Sequence, residues 1–247
     1  MKARALFILL AACIAMSACS KKQESGNLQV KIRYSVDNQE LEVDTLRYIN
    51  QAGNHYLVNE IQWFVSDIKL IDDEGKTVTF NTSRSIFYID SDLPETETLH
   101  STDIPEGHYK AVHFTLGMND AENQSGRFVN PPESDMFWPE PMGGGYHHIK
   151  LNGKWMNTNN ELLPFCMHIG KGPDGGNFIS NYFEVETSAD ISVKGKETTS
   201  IVLNMNINNW FCNPNTYDFN YWGGSIMSNQ SAQATLKQNG HNVFTIQ

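Results

Sequence analysis

"LQVKIRYSV", residues 28–36, alternates apolar and polar side chains without interruption. Leu28, Val30, Ile32, Tyr34 and Val36 would share one face of an extended chain, and the polar residues between them would share the other. A period of two residues is typical of a β-strand that has one buried and one solvated face. This stretch therefore predicts a strand that covers a hydrophobic core.

Similar short runs recur along the chain, separated by turn sequences such as "PEG" and "GPDGG". They include "EIQWFVSDIKLI" (60–71), "HYKAVHFTLGM" (108–118), "YHHIKLN" (146–152), "LPFCMHIG" (163–170), "SIVLNMNI" (200–207) and "QATLKQ" (233–238). Helical periodicity is restricted to two short segments, at 133–138 and 213–221. The pattern predicts one all-β domain over residues 28–247, an antiparallel β-sandwich of immunoglobulin-like or jelly-roll-like type. Its longest irregular connection, 120–145, is where we expect function.

The N-terminal residues carry an export signal. Lys2 and Arg4 precede an apolar run that ends in "MSAC", the pattern of a bacterial lipoprotein signal. We predict a signal peptide over 1–18, a lipid on Cys19 and a polar tether over 19–27, with a plain secretory signal as the alternative. This predicts a cell-envelope protein, an outer-membrane lipoprotein that faces the periplasm or the cell surface and meets the membrane only through its lipid.

Charge and cysteine content restrict the partners further. The chain has a formal net charge of -10, which disfavours nucleic acid and favours cations as partners. Outside the signal and Cys19, two cysteines remain, Cys166 and Cys212. An oxidising compartment favours a disulfide between them. The alternative is that Cys166 is a thiolate metal ligand beside His168.

Two neighbouring strands contain the candidate metal ligands. If the runs around His148 and His168 form a hairpin, pairing Leu151 with Phe165 places the two imidazoles opposite each other, although a slip of two residues would also align the apolar faces. Two imidazoles suit zinc, copper or nickel, and a thioether from Met142 or Met136 would favour Cu(I). His147 would join them if the adjacent glycine turn bulges. The alternative is that these histidines only form hydrogen bonds.

The residues also carry a family resemblance. The segments "LGMNDAEN" (116–123), "MFW" (136–138), "GGGYHHIKLNG" (143–153) and "FCMHIG" (165–170), in this order, resemble the MbnP-like family of methanobactin-associated copper-binding proteins. The resemblance extends from about residue 28 to residue 211. It implies a periplasmic or outer-membrane-associated β-sandwich that binds or handles copper.

Individual positions can be matched to that family. Met136 and Trp138 match a Met-Phe-Trp element, Gly145 and Tyr146 the Gly-Tyr that follows it, and His168 a His-Ile-Gly element. The resemblance implies that Trp138 lines the metal site or is modified to kynurenine there by a dihaem peroxidase-type partner. Where relatives often read Trp-x-Trp, this chain has Pro139 and Glu140 after Trp138.

Two functions are consistent with these features. The first is a non-catalytic, lipid-anchored copper protein that holds one ion through His148 and His168, with help from His147 and Met142. The second is a surface lipoprotein that binds glycan or protein on an aromatic platform of Trp138, Trp155 and Trp222. An enzyme is not expected, because the sequence shows no set of nucleophile, base and orienting group.

Overall fold

The computed structural model describes residues 23–247. The predicted signal peptide and Cys19 lie outside this range. The first strand begins at Ser25, three residues before the predicted start of the domain. In residues 23–247, no helix combines the length and apolar character needed to cross a bilayer.

Strands make up most of the described chain. They are β1 (Ser25–Val36), β2 (Gln39–Glu40), β3 (Tyr48–Ile49), β4 (His55–Asp72), β5 (Thr77–Thr79), β6 (Ile86–Asp90), β7 (Thr98–Pro105), β8 (Gly107–Leu116), β9 (Ile149–Met156), β10 (Leu162–Ile169), β11 (Lys171–Asp174), β12 (Asn177–Ser180), β13 (Phe183–Val193), β14 (Thr198–Asn206) and β15 (Phe244–Ile246). The α-helices are α1 (Phe219–Trp222) and α2 (Gln230–Gly240), and short 3-10 helices occupy Pro94–Thr96, Glu133–Met136, Glu140–Met142 and Ile207–Phe211.

The strands form two main sheets, which confirms the predicted all-β sandwich. One sheet has the order β15-β14-β1-β2, with β7 also pairing with β1. The other has the order β10-β9-β4-β8-β13, with β3, β5 and β6 pairing with β4. Strands β11 and β12 form a separate hairpin. One pair departs from the antiparallel expectation, because β1 and β14 run parallel.

The main core lies between the two sheets. All five apolar residues of the opening stretch, from Leu28 to Val36, are buried there, as their alternation predicts. Strand β4 adds Trp63 and Val65 to the same core. Phe64, between them, points to the opposite face, because successive side chains of a strand alternate.

A second, smaller core lies on that opposite face of the β4 sheet. It contains Phe64, Tyr88, Met118, Met136 and Tyr146. The last three belong to the long connection between β8 and β9, which the sequence predicted as irregular. This connection therefore packs on the outer face of the sheet and brings its polar residues to the outward-facing side chains of β9 and β10.

Helix α2 corrects one strand prediction. Residues 233–238 are helical, not extended. The helix starts where the side chain of Asn229 accepts a hydrogen bond from the Ala232 backbone N–H, a typical N-cap. Ala232 and Leu236, four residues apart, are both buried on one helical face. Residues 233–238 are so polar on average that their two-residue alternation does not distinguish a strand from a helix.

The predicted disulfide is wrong, since Cys166 and Cys212 are both free thiols. Phe165 packs into the core, with its ring 6.3 Å from that of Phe211. Cys166 is the next residue of the same strand, so its side chain points out of the core. Cys212 directly follows Phe211, and its Sγ lies 3.8 Å from Asn209 Oδ1.

The two ends of β8 have different neighbours. At the start of the strand, the Glu106 backbone N–H donates to the Glu24 carbonyl, where the described chain enters the fold. At the far end, Gly117 contacts the imidazole of His148. Strand β8 therefore separates the N-terminal entry of the domain from the histidine-containing connection.

Candidate metal centre

The β9–β10 hairpin has a different register from the predicted one. His168 lies opposite Lys150, and Ile169 lies opposite Ile149. The hairpin closes through a short turn in which Asn157 Oδ1 accepts from the backbone N–H groups of Asn159 and Glu161. Such an Asx turn fixes the midpoint of the hairpin. The predicted opposition of His148 and His168 is therefore wrong by two residues.

His148 is a fully buried, hydrogen-bonded residue. The Met118 backbone N–H points at its Nδ1 at 3.4 Å. This interaction requires a lone pair on Nδ1, so Nε2 carries the proton and donates to Ser180 Oγ at 3.2 Å. Both ring nitrogens have partners, which leaves His148 no donor atom for a metal.

His147 and His168 meet instead. Their ring centroids are 4.9 Å apart and the rings are nearly perpendicular, at 88°. The chain bends at His148, and β9 starts only at Ile149. Strand alternation therefore does not apply to His147, and its side chain turns to the outer face that also holds His168.

The protonation pattern of His147 is set by a backbone carbonyl. Its Nδ1 lies 2.8 Å from the Met136 carbonyl oxygen, which can only accept a hydrogen bond. The proton of the neutral ring is therefore on Nδ1, and Nε2 carries a lone pair. Nε2 is buried and has no hydrogen-bond partner among the described residues.

His168 has the opposite pattern. Its Nε2 lies 2.8 Å from Asn152 Oδ1, an amide oxygen that accepts. Nε2 therefore carries the proton and Nδ1 carries the lone pair. Each histidine thus offers one ring nitrogen, with its other nitrogen held by an oxygen, which is the usual environment of metal-binding histidines.

Both rings are neutral at physiological pH. Burial, with a smaller contribution from the neighbouring His168, lowers the pKa of His147 to about 3. Burial also lowers the pKa of His168 to about 4, with a smaller contribution from the Lys150 charge. Metal binding requires the neutral imidazole, so no proton has to be removed at neutral pH.

Trp138 forms one wall of this centre. Its ring meets His147 edge-on at a centroid distance of 4.7 Å, and it is fully buried. The indole Nε1–H donates to the Met142 carbonyl oxygen at 2.9 Å. Both methionines thus contact the centre through backbone carbonyl oxygens, Met142 at Trp138 and Met136 at His147. The indole face lies against Gly170, where a Cβ atom would be 2.3 Å from Trp138 Cε3.

One nitrogen of the histidine pair is available to a metal ion. Among the described residues, three buried side-chain nitrogens lack a partner, and they belong to His147, Trp155 and Trp210. An indole N–H is only a donor, so His147 Nε2 is the one of the three that can bind a cation. A larger group of converging ligand side chains occurs within residues 23–247 at Glu60, Asp90 and Asp92, but it does not include the histidine pair.

The aromatic platform of the alternative function is absent from the described surface. Trp138 and Trp155 are buried, and Trp222 stacks on Tyr217 with ring centroids 6.0 Å apart. Buried indole faces cannot bind a glycan or a protein surface.

The sequence analysis missed two site residues, Asn152 and Glu60, because their role depends on the strand register.

Comparisons with known proteins agree with this architecture. The MbnP family model matches residues 25–229. The solved structure of MbnP from Methylosinus trichosporium superimposes with a TM-score of 0.61, over 90% of this chain and 98% of that chain, at 14% sequence identity. An identity this low shows a shared fold and no more. The search of curated proteins found no match.

Proposed function

This chain belongs to the MbnP family, and we propose that it is a non-catalytic copper-binding protein of the bacterial cell envelope. In this proposal a copper ion is held between His147 Nε2 and His168 Nδ1, beside the indole of Trp138. The site would allow the protein to store or transfer copper. The chain's own residues would orient the two imidazoles and exclude water.

The observation that carries the proposal is the unpartnered Nε2 of His147. Leaving a buried polar atom without a partner costs about 1–3 kcal/mol, so such an atom usually has a functional reason. The second imidazole lies in contact with the first and has a lone pair of its own. Both observations are explained together by a cation between the rings.

Copper is favoured over zinc by the number of donors. Structural zinc almost always takes four protein ligands, whereas Cu(I) accepts fewer. The wall beside the rings is the apolar face of Trp138, which offers no charged group for a hard cation. The family resemblance in the sequence points to the same metal.

Cu(I) titration tests this function. The apo protein, titrated without oxygen against a chromogenic Cu(I) chelator, should take up about one ion per chain and bind zinc more weakly. The change His168→Ala should weaken Cu(I) binding by about 100-fold or more, because it removes half of the protein donors. His100→Ala, at an exposed position on β7, is the matched control and should bind like the wild type. Equal affinities of the wild type and His168→Ala would exclude this site.

We also propose that Cys19 carries a lipid that holds the protein at the outer membrane. The support is the sequence pattern of residues 1–19. In cell fractionation, the wild type should stay with the membrane, and Cys19→Ala should be released or remain an unprocessed precursor. A wild type found entirely in the soluble fraction, without lipid in its intact mass, would contradict the anchor.

A dihaem peroxidase-type partner is part of the same proposal. Its target would be Trp138, the tryptophan in contact with His147. Conversion to kynurenine changes the intact mass by a small, distinctive amount. Mass spectrometry of the protein from its native host would therefore show whether such a partner acts on it.

A further inference from the structure

A β-bulge places a carboxylate behind the candidate metal centre. Val58 lies opposite Gly153, but the next pair is Glu60 opposite Asn152, so Asn59 is an extra residue on β4. In an unbroken register, Asn59 would oppose Asn152, and Glu60 would oppose Leu151 and point into the core. Bulges often redirect a side chain next to a functional site. Here the bulge turns Glu60 to the outer face that also holds Asn152 and His168.

The three side chains form a chain of hydrogen bonds. Asn152 Nδ2 donates to Glu60 Oε2 at 3.2 Å. Asn152 Oδ1 accepts from His168 Nε2 at 2.8 Å. A carboxylate has no hydrogen to donate, so it must face the NH2 group of the Asn152 amide. The amide oxygen then faces His168.

We infer that Glu60 is a positioning residue, which acts through Asn152 to hold the proton of His168 on Nε2 and its lone pair on Nδ1. This inference rests on the proposed function, because Nδ1 is the atom assigned to copper there. His147 is held in the opposite state by the Met136 carbonyl oxygen. The centre thus presents two different ring nitrogens, and each is selected by an oxygen on the far side of its ring.

Glu60→Gln separates this role from simple packing. The substitution keeps the shape of the side chain, but an amide can both donate and accept. The Asn152 amide can then turn over and donate to His168 Nε2, which moves the ring proton to Nδ1. We therefore expect a mixture of both tautomers of His168 in this variant.

Nitrogen NMR of the apo protein with 15N-labelled histidine measures the tautomers directly. In the wild type, His168 should show a protonated Nε2 and an unprotonated Nδ1, and His147 the reverse. In Glu60→Gln, both His168 nitrogen resonances should shift toward intermediate values. A wild-type His168 with its proton on Nδ1, or an unchanged tautomer in Glu60→Gln, would overturn the inference.

A double variant tests the direction of the hydrogen bonds. In Glu60→Gln/Asn152→Asp, the new carboxylate at 152 accepts from both His168 and the new amide, so the wild-type tautomer should return. Glu161→Gln is the matched control, because Glu161 accepts from Asn157 in the hairpin turn and has no contact with His168. It should leave both histidines unchanged. A mixture that persists in the double variant would overturn the inference even if the single variant folds poorly.

Copper affinity gives a second, separate measurement. Glu60→Gln should weaken Cu(I) binding by about 10-fold, and the double variant should recover most of that loss. If the wild type binds no copper but shows the expected tautomers, the proposed function fails while the hydrogen-bond assignment stands. If copper binds at His147 and His168 but Glu60→Gln leaves the tautomer unchanged, only the inference fails.

Discussion

His147→Ala is expected to abolish high-affinity Cu(I) binding, with a loss of at least about 100-fold, while the protein stays folded. The change removes the Nε2 atom that has no protein partner. The Met136 carbonyl oxygen keeps a partner, because the backbone N–H of residue 147 also donates to it at 2.7 Å. The fold should therefore tolerate the change better than the metal centre does.

His148→Ala should have the opposite effect. It leaves the Met118 N–H and the Ser180 hydroxyl without their partner and opens a cavity under Gly117. Together these changes should lower the free energy of unfolding by roughly 3 kcal/mol, with little change in copper affinity where the protein is folded. Chelator competition and urea unfolding of both variants measure the two effects. If only His148→Ala lost copper binding, the ligand would be His148, and the assignment of His147 would be wrong.

Gly170→Ala is expected to disturb both the fold and the metal centre. The added Cβ would lie 2.3 Å from Trp138 Cε3, far inside van der Waals contact. Neither the Gly170 backbone nor the Trp138 ring can move easily. The Gly170 N–H donates to Gln233 and its carbonyl oxygen accepts from Asn181, whereas the buried indole is held by the Met142 carbonyl oxygen. We expect a loss of about 2–3 kcal/mol in the free energy of unfolding.

Copper binding should weaken in the same variant, because a displaced Trp138 ring no longer packs against His147. Gly107→Ala is the matched control, since nothing lies within 4 Å of a Cβ there. The double variant Gly170→Ala/Trp138→Phe, with a smaller ring, should be less destabilised than the sum of its single changes. Full additivity would mean that the Gly170–Trp138 contact is not the cause.

The fold was predictable because burial in a strand follows a strict period. The alternation from Leu28 to Val36 is continuous and needs no knowledge of neighbouring strands. Helix α2 was not predictable in the same way, because its apolar face is narrow and its Asn229 cap is a local polar signal. Apolar periodicity therefore predicted the strands of the sheets but did not predict the polar helix α2.

The candidate metal centre depended on features that the hydrophobic pattern does not encode. Apolar residues fix only the parity of the β9–β10 register, so the Asx turn at Asn157 decided which residue faces His168. The sequence identified His147, His168 and Trp138 as candidates, but it paired His168 with His148. Glu60 was missed because its direction depends on one extra residue in β4.

The position of Glu24 has a consequence for access to copper. The described chain enters the fold beside the Glu106 turn, and the ten residues of β8 then lead to Gly117. At about 3.3 Å per residue, these points are roughly 30 Å apart. A surface that holds the protein by its N-terminal segment would therefore lie near one pole of the domain. The candidate metal centre, next to Gly117, would lie toward the other pole, so a metal donor would have to approach the domain on the side away from that surface.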